Sequence, residues 1–297
     1  IARRRGVPGR EPQCGRRLWL RIELRHLGFT PLALSGISPA MRIATFNING
    51  IKARLPRLIE WLEETRPTVA CLQEIKTMDE GFPADAFEKI GYKAIWHGQK
   101  SFNGVAILAD GVEPIETQRG LPGDDADEQS RYLEADVSGV RVASIYLPNG
   151  NPQPGPKFDY KLDWMERLRT HAKTLWNAEI PTALVGDYNV VPEDKDIWSP
   201  RALADDALMQ PQSRDAYARM LGDGWTDAID TFNPRGGVWT FWDYQAGAWQ
   251  RDHGFRIDHL LLSPELADRM QAAGVDKEYR GREKSSDHTP VWVELAD

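Results

Sequence analysis

Arg42-Ile43-Ala44-Thr45-Phe46-Asn47-Ile48-Asn49-Gly50 opens the part of the chain that reads as a folded domain. Its first five residues carry strand chemistry, apolar or β-branched, and the apolar character then stops at two asparagines and a glycine. The same break recurs along the chain. Val69–Gln73 runs into Glu74, Thr182–Val185 runs into Gly186, Asp187 and Asn189, Arg256-Ile257 meets Asp258, and Asp287-His288 precedes the last apolar run, Val291–Leu295. Side chains at the rim of a sheet are held rigidly, and several from different strands can converge on one point, as a metal ion and a reacting group require. Taken singly, each break has a dull explanation. Asn47 to Gly50 could be a turn, since Asn-Gly is a strong turn signal. Glu74 could be a solvated acid, Asp187-Tyr188-Asn189 a strand end, and Asp287-His288 a loop holding a satisfied histidine. Their recurrence in this order is what carries information.

Further strands are expected over Gly104–Leu108, Tyr132–Val137, Arg141–Tyr146, Trp239–Trp242 and Arg256–Leu262. Helices are expected over Leu55–Thr65, with Leu55, Leu58, Ile59 and Leu62 at helical spacing and Pro67 as a stop, and over Tyr160–Trp176. A third helical segment, Ala202–Leu221, should break into two pieces around Pro211. Strands outnumber helices, and no repeat or low-complexity linker divides the chain. The economical architecture is one α/β domain in which two packed sheets are covered by helices.

Charge separates one segment from this domain. Residues 1–40 hold eight arginines against two glutamates, a local +6, so the total of −7 over 297 residues leaves −13 for residues 41–297. Met41 is the first methionine. Residues 1–40 are therefore expected to be a non-native or disordered basic leader, with a transit peptide or a basic DNA-binding arm as the functional alternatives, and residues 41–297 the folded domain. An acidic total does not exclude a nucleic-acid partner, because phosphate binding needs only local positive potential and clustered metal-binding acids deepen the negative sum. Cys14 and Cys71 cannot make a disulfide framework, and Cys71 sits within the apolar Val69-Ala70-Cys71-Leu72, so a reducing cytoplasm is expected. No apolar run approaches the roughly 18 residues a membrane span needs.

The segments Phe46-Asn47-Ile48-Asn49-Gly50, Leu72-Gln73-Glu74-Ile75-Lys76, Tyr146-Leu147-Pro148-Asn149-Gly150, Gly186-Asp187-Tyr188-Asn189, Arg256-Ile257-Asp258 and Ser286-Asp287-His288 resemble, in order, the motifs of the exonuclease III family of abasic-site endonucleases. That family belongs to the endonuclease/exonuclease/phosphatase superfamily. The likeness runs from Met41 almost to the C-terminus. His97-Gly98-Gln99-Lys100, Gly120 to Asp125, and Thr240-Phe241-Trp242-Asp243-Tyr244 narrow it to the DNA-repair branch. The resemblance implies a four-layer αββα sandwich, two mixed β-sheets flanked by helices, with the active site at one edge. It implies a Mg2+-dependent phosphodiesterase, with Mn2+ as an alternative, that cuts double-stranded DNA 5′ to abasic sites and digests 3′ ends, working as a monomer.

Residue by residue, the resemblance makes Glu74 the principal metal ligand, with Asn47 beside it and Asp258 or Asp287 contributing. Mg2+ takes hard oxygen ligands and keeps several waters, so one or two carboxylates suffice. Asp187 would orient and deprotonate the attacking water, with Asn189 holding water or phosphate. His288 paired with Asp258 would bind a phosphoryl oxygen, or that pair would itself be the general base. Tyr146 and Asn149 match phosphate-contacting residues, Tyr146 as a phenol or as a phenolate, and Asn49 supports the metal network. Phe241, Trp242, Phe255 and Ile257 would line an apolar pocket for a baseless sugar, with Trp239 and Trp249 able to supply the same surface. Lys52, Arg54, Lys76, Lys100, Arg131 and Lys157 are candidate backbone-phosphate contacts, Lys76 and Lys100 first because they lie in matching motifs. Two other readings compete. One is a phosphatase on inositol phosphates or a sphingomyelinase, which shares the acidic and Asp-His elements but not the Gly-Gln-Lys and Phe-Trp-Asp-Tyr matches. The other is an inactive DNA-binding module, which would show a lost ligand or base where this chain keeps all of them.

Overall fold

Alternation with period two assigns each strand an inner and an outer row, and in the central strands both rows are apolar, as burial on two faces demands. In the computed structural model, which describes residues 41–297, the strands form two six-stranded mixed sheets. The expectation for residues 1–40 lies outside the described residues.

The strands in chain order are β1 (Met41–Asn47), β2 (Val69–Gln73), β3 (Tyr92–His97), β4 (Val105–Asp110), β5 (Ile115–Arg119), β6 (Tyr132–Val137), β7 (Val140–Tyr146), β8 (Thr182–Asp187), β9 (Thr226–Asp227), β10 (Asp258–Leu262), β11 (Met270–Val275) and β12 (Val291–Leu295). One sheet has the order β11-β12-β1-β2-β4-β3 and the other β5-β6-β7-β8-β10-β9. At the centre of each lies its one parallel pair, β1 with β2 and β7 with β8, and the other pairings are antiparallel.

The inner rows Ile43, Val69, Cys71 and Ile107 of one sheet meet Leu133, Val142, Val185 and Leu260 of the other in a dry core. Burial pushes the Cys71 thiol far above its ordinary range, so it is an inert core residue. The outer row of the first sheet packs on α1 (Ile51–Thr65) through Leu58, Trp61 and Leu62. Full burial of a leucine of this kind contributes about 1.5–3 kcal/mol. α2 (Ala84–Glu88) adds Phe87 to the same layer. The outer row of the second sheet packs on α3 (Pro156–Asn177) and α4 (Pro211–Gly222) through Trp164, Leu168, Leu175, Tyr217 and Met220. Two short helices, α5 (Ala228–Phe232) and α6 (Pro264–Ala267), follow β9 and β10. These are the four layers expected. Among the described residues no helix is long and apolar enough to cross a membrane.

The segment expected as a strand over Trp239–Trp242 is not one. Phe241 makes only isolated bridges, to Phe255 and to His288. Thr240 spends its hydroxyl accepting the backbone N–H groups of Ile257 and Asp258, at 3.1 and 3.2 Å, so the segment braces β10 without extending a ladder. The strands that sequence patterning missed are β3, β5, β9 and β11, and all four are sheet edges. An edge strand has one neighbour and a wetter face, so its apolar signal is weak, as Ile-Glu-Thr-Gln-Arg in β5 shows.

A buried polar network locks the strand that delivers Asp258. Arg256 donates to Asp196 at 2.8 Å and to Asp227 at 2.6 Å, Tyr217 donates to Asp227 at 2.8 Å, and His259 lies 2.9 Å from both Arg256 and the Val190 carbonyl. Burial, and then the Arg256 charge, hold the His259 imidazole down at about 4, and the same guanidinium keeps Asp227, despite its burial, at about 2. An unfolded histidine titrates near 6.5, so between pH ~6.5 and ~4 the unfolded chain takes up a proton that the folded one refuses. Stability is therefore whole above that window and declines as the pH falls through it, by about 3 kcal/mol from this residue. Urea unfolding at a series of pH values should show this slope in the wild type and a shallower one in His259→Asn. Equal slopes would mean the imidazole is protonated in the folded state.

Candidate active site

The inner rows end in polar residues at one edge, and they do so in steps. Beyond the dry core Thr45 donates to Gln73 at 3.1 Å, Gln73 donates to Ser144 at 3.0 Å across the two sheets, and Ser144 donates to the Leu72 carbonyl at 3.0 Å. One alternation further out stand Asn47 on β1, Tyr146 on β7 and Asp187 on β8, with Glu74 just past the end of β2. Tyr146 pairs with Asp187 in the parallel ladder and Asp258 pairs with Asp187 in the antiparallel one. Register alone therefore gathers residues far apart in sequence.

The side chains interlock. The Asn47 amide donates to Glu74 at 3.0 Å and to Asp187 at 2.9 Å, and the Tyr146 hydroxyl donates to Glu74 at 2.8 Å. Lys76 reaches Glu74 at 2.6 Å and Asn49 at 2.5 Å, and Asn49 donates to Asp287 at 3.0 Å. Asp187 accepts the backbone N–H of Asn189 at 2.9 Å, and Asn189 accepts from Asn149 at 3.0 Å. His288 Nδ1 lies 2.8 Å from Asp258, and its Nε2 lies 3.8 Å from Asp187. Of these residues Asn49, Glu74, Lys76, Tyr146, Asn149, Asp187, Asn189, Asp287 and His288 line one cleft of about 440 Å³, whereas Asn47 and Asp258 are fully buried and outside its lining. Phe241, Phe255 and Ile257 form part of its wall, with Leu203 and Leu208 from the segment before α4. Asn49, Glu74, Lys76 and Asn189 all have left-handed backbone, with φ of 46°, 51°, 51° and 48°. Such residues cost energy and persist where surrounding structure over-determines them, commonly at functional sites.

Charge in the cleft is balanced unevenly. Burial pushes the Asp187 carboxyl up, against the pull of the His288 charge. Burial alone would push His288 down, but the Asp258 carboxylate, followed by Asp187 and Asp287, overrides it and raises the imidazole well above its ordinary range. Burial would likewise raise Glu74, but the Lys76 hydrogen bond and charge outweigh it and keep the carboxylate ionised. Tyr146 is held far above the ordinary phenol range by burial and by the charges of Glu74 and Asp187, which favours the phenol over the phenolate.

Two expected contacts are not in the cleft. Trp242 is fully buried, donates its indole N–H to Asp252 at 2.9 Å and packs edge-on against Trp249, so it is scaffold and does not line the pocket. Its position one residue after Phe241 turns it away from the wall that Phe241 forms. Lys100 is exposed and outside the cleft lining, although its neighbours Gln99, Phe102 and Asn103 line an adjoining hollow with Arg131. Arg54 donates to Tyr244 at 3.1 Å and Arg131 lies over the Tyr146 ring at 4.7 Å, while Lys52 and Lys157 are exposed.

Sequence reading missed Lys161. Its ammonium, fully buried, donates to the carbonyls of Asn149 at 3.1 Å and Asn189 at 2.5 Å, and so ties together the two loops that bear those asparagines. Gly150 makes the space, since a Cβ there would stand 2.6 Å from the Lys161 stem. Burial lowers this amine to about 7. The signal was present: Lys161 interrupts the apolar stripe Phe158, Trp164, Met165, Leu168 of α3, where a lysine is almost never buried without a partner. Lys161→Met should cost about 1–3 kcal/mol through unsatisfied carbonyls. Steady-state kinetics should show KM for DNA rising with it, and an unchanged KM would mean the helix alone holds the loops.

The residues suit a divalent ion at one of two places. Glu74, Asn49 and Asp287 offer hard oxygens, and the Lys76 ammonium already rests on two of them, so the local field accepts a cation. The donor atoms of Asp187, Asp258 and His288 also lie within 4.8 Å of one another. There, however, the Asp258 and Asp187 carboxylates raise the imidazole towards its cationic form, which opposes a second positive charge.

Residues 44–288 match the Endonuclease/Exonuclease/phosphatase family. An exodeoxyribonuclease III of Haemophilus influenzae is 33% identical over 271 residues, which cover 86% of this chain and 100% of the relative. An AP endonuclease from Archaeoglobus fulgidus superposes with a TM-score of 0.81 at 36% identity, covering 86% of this chain and 99% of the other. A 3′ phosphatase from Neisseria, solved with a product DNA hairpin, superposes with a TM-score of 0.84 at 36% identity, covering 87% and 100%. The chain belongs to the endonuclease/exonuclease/phosphatase family, within its exodeoxyribonuclease III branch of DNA-repair nucleases.

Proposed function

We propose that the cleft hydrolyses the backbone of duplex DNA 5′ to abasic sites, leaving a 3′-hydroxyl, and removes nucleotides from 3′ ends. The observation that carries this reading is one cavity in which the acids, amides and imidazole face an apolar wall of Phe241, Phe255 and Ile257. A sugar without a base can lie against such a wall, whereas a complete nucleotide is bulkier, so selection works by exclusion.

Asp187, buried and raised towards neutrality, accepts the proton of the attacking water, since a base works best with a pKa near the operating pH. Asn189 and Asn149 donate to phosphate oxygens. Protonated His288, held by Asp258, places positive charge where the phosphoryl oxygens gain negative charge. Tyr146 donates as a phenol. Glu74 and Asp287, with Asn47 beside Glu74, would hold Mg2+, with Mn2+ as the alternative; Asn49, between Lys76 and Asp287, supports that set, and Asn47 also orients Glu74 and Asp187 together. A bound divalent ion supplies Lewis-acid stabilisation of the phosphoryl charge. Residues 41–297 form the catalytic domain, and the protein works as a cytoplasmic monomer, one active site per lesion.

A labelled abasic duplex incubated with Mg2+ should be incised 5′ to the lesion to leave a 3′-hydroxyl, and EDTA should stop the reaction. An undamaged recessed duplex run in parallel should lose 3′ nucleotides. Hydrolysis of a phosphoinositide with neither DNA intact-strand loss nor incision would sink the reading.

A further inference from the structure

The apolar wall continues beyond the cleft. Ile197 bridges Phe255, Phe255 bridges Phe241, and Phe241 bridges His288, which makes a ladder of isolated pairs leading outward from the reaction centre. At its outer end stands a feature the proposed chemistry does not use. The indole of Trp198 and the imidazole of His253 lie face to face, with centroids 3.6 Å apart and planes 2° from parallel. Trp198 is nonetheless 42% exposed, a large apolar surface left in water.

The stack is held from behind. Trp198 donates its backbone N–H to the Gly254 carbonyl at 3.0 Å. Gly254 packs so closely on Trp242 and Trp239 that a Cβ would come within 2.6 Å of the Trp242 indole nitrogen. His253 precedes by two residues Phe255, which lines the cleft, so the stack adjoins that wall in the chain. Arg201, three residues beyond Trp198, is exposed. A rigid, exposed aromatic plane is a surface on which a nucleobase stacks.

We propose that Trp198 and His253 form a base-stacking platform that receives one nucleobase flanking the scissile phosphate. This inference rests on the cleft being a DNA phosphodiesterase site. A π-face takes any base, so the platform adds affinity and fixes the strand's register without reading sequence. It holds the strand at the mouth of the apolar slot while the reacting sugar occupies the slot itself.

The test is binding to a duplex with one central tetrahydrofuran lesion, in EDTA to prevent turnover, with a second baseless spacer moved through each flanking position. In the wild type one flanking position should weaken binding by roughly tenfold, the size of a single base–aromatic contact. Trp198→Ala should lose a similar factor on the fully based flank and become indifferent to the spacer at that position. Trp198→Phe, which keeps a ring, should retain most of the positional effect and serves as the control for folding. Wild-type-like affinity in Trp198→Ala, or an identical spacer profile in both proteins, would overturn the platform. Addition of Mg2+ to the same wild-type complexes reads out incision, so a failed platform with intact incision leaves the nuclease reading standing, and absent incision removes that reading instead.

Discussion

Asp187→Asn should lower turnover on an abasic duplex by about 10²–10⁴-fold, the usual contribution of a positioned general base, while DNA affinity stays close to that of the wild type. The substitution is nearly isosteric. The amide oxygen can still accept the Asn189 N–H that Asp187 accepts at 2.9 Å, so the Gly186-Asp187-Tyr188-Asn189 loop keeps its shape, while the bond from the Asn47 amide to the other oxygen at 2.9 Å is lost. What disappears is the acceptor for a proton, together with one of the negative charges that hold His288 in its cationic form. Single-turnover kinetics beside direct binding measurements separate the two effects. Retained binding with collapsed turnover places the base at Asp187. Near-normal turnover would move it to the pair of His288 and Asp258, whose 2.8 Å contact is geometrically able to accept a proton once the imidazole is neutral.

The division between what the sequence shows and what it hides follows physical lines. Central strands such as Val69–Gln73 and Thr182–Asp187 are buried on both faces, so their apolar runs are continuous and their ends conspicuous. Asn47, Glu74, Asp187, Asp258 and His288 could therefore be found as the polar residues at which such runs stop. Edge strands carry no comparable pattern, and β3, β5, β9 and β11 went unseen. Aromatic residues were the least legible. Phe241 faces the cleft and Trp242, next in sequence, is core, because the bridge to Phe255 sets which way each points, and no local pattern records that bridge. Lys161 shows the reverse case. It broke the expected pattern of α3 visibly, and only the fold reveals that its partners are carbonyls from two loops of the site.

Glu74→Gln is expected to have the second large effect, on the dependence of activity on divalent cation. Glu74 is tied to three different side chains at the centre of the cleft: Asn47, Tyr146 and Lys76. Its left-handed backbone is fixed independently of its side chain, since its carbonyl accepts the Gly50 N–H at 2.8 Å and Lys76 N–H donates to Asn103 at 3.0 Å. Glutamine therefore keeps the position and removes the charge. Groups that merely orient a metal ligand cost about 10–100-fold in metal affinity or activity when lost, so a direct ligand should reach or exceed the upper end of that range. A Mg2+ titration of the rate should show half-saturation displaced upward, and calorimetric titration with Mn2+ should show weakened binding without reference to catalysis. The competing location makes the opposite forecast. If the ion is held by Asp187, Asp258 and His288, then Asp258→Asn will shift the cation titration and Glu74→Gln will leave it where it was. Because those two carboxylates raise His288 towards its cationic form, a cation there would meet like charge, so on the proposed assignment the first of these two outcomes, the shift with Glu74→Gln, is expected.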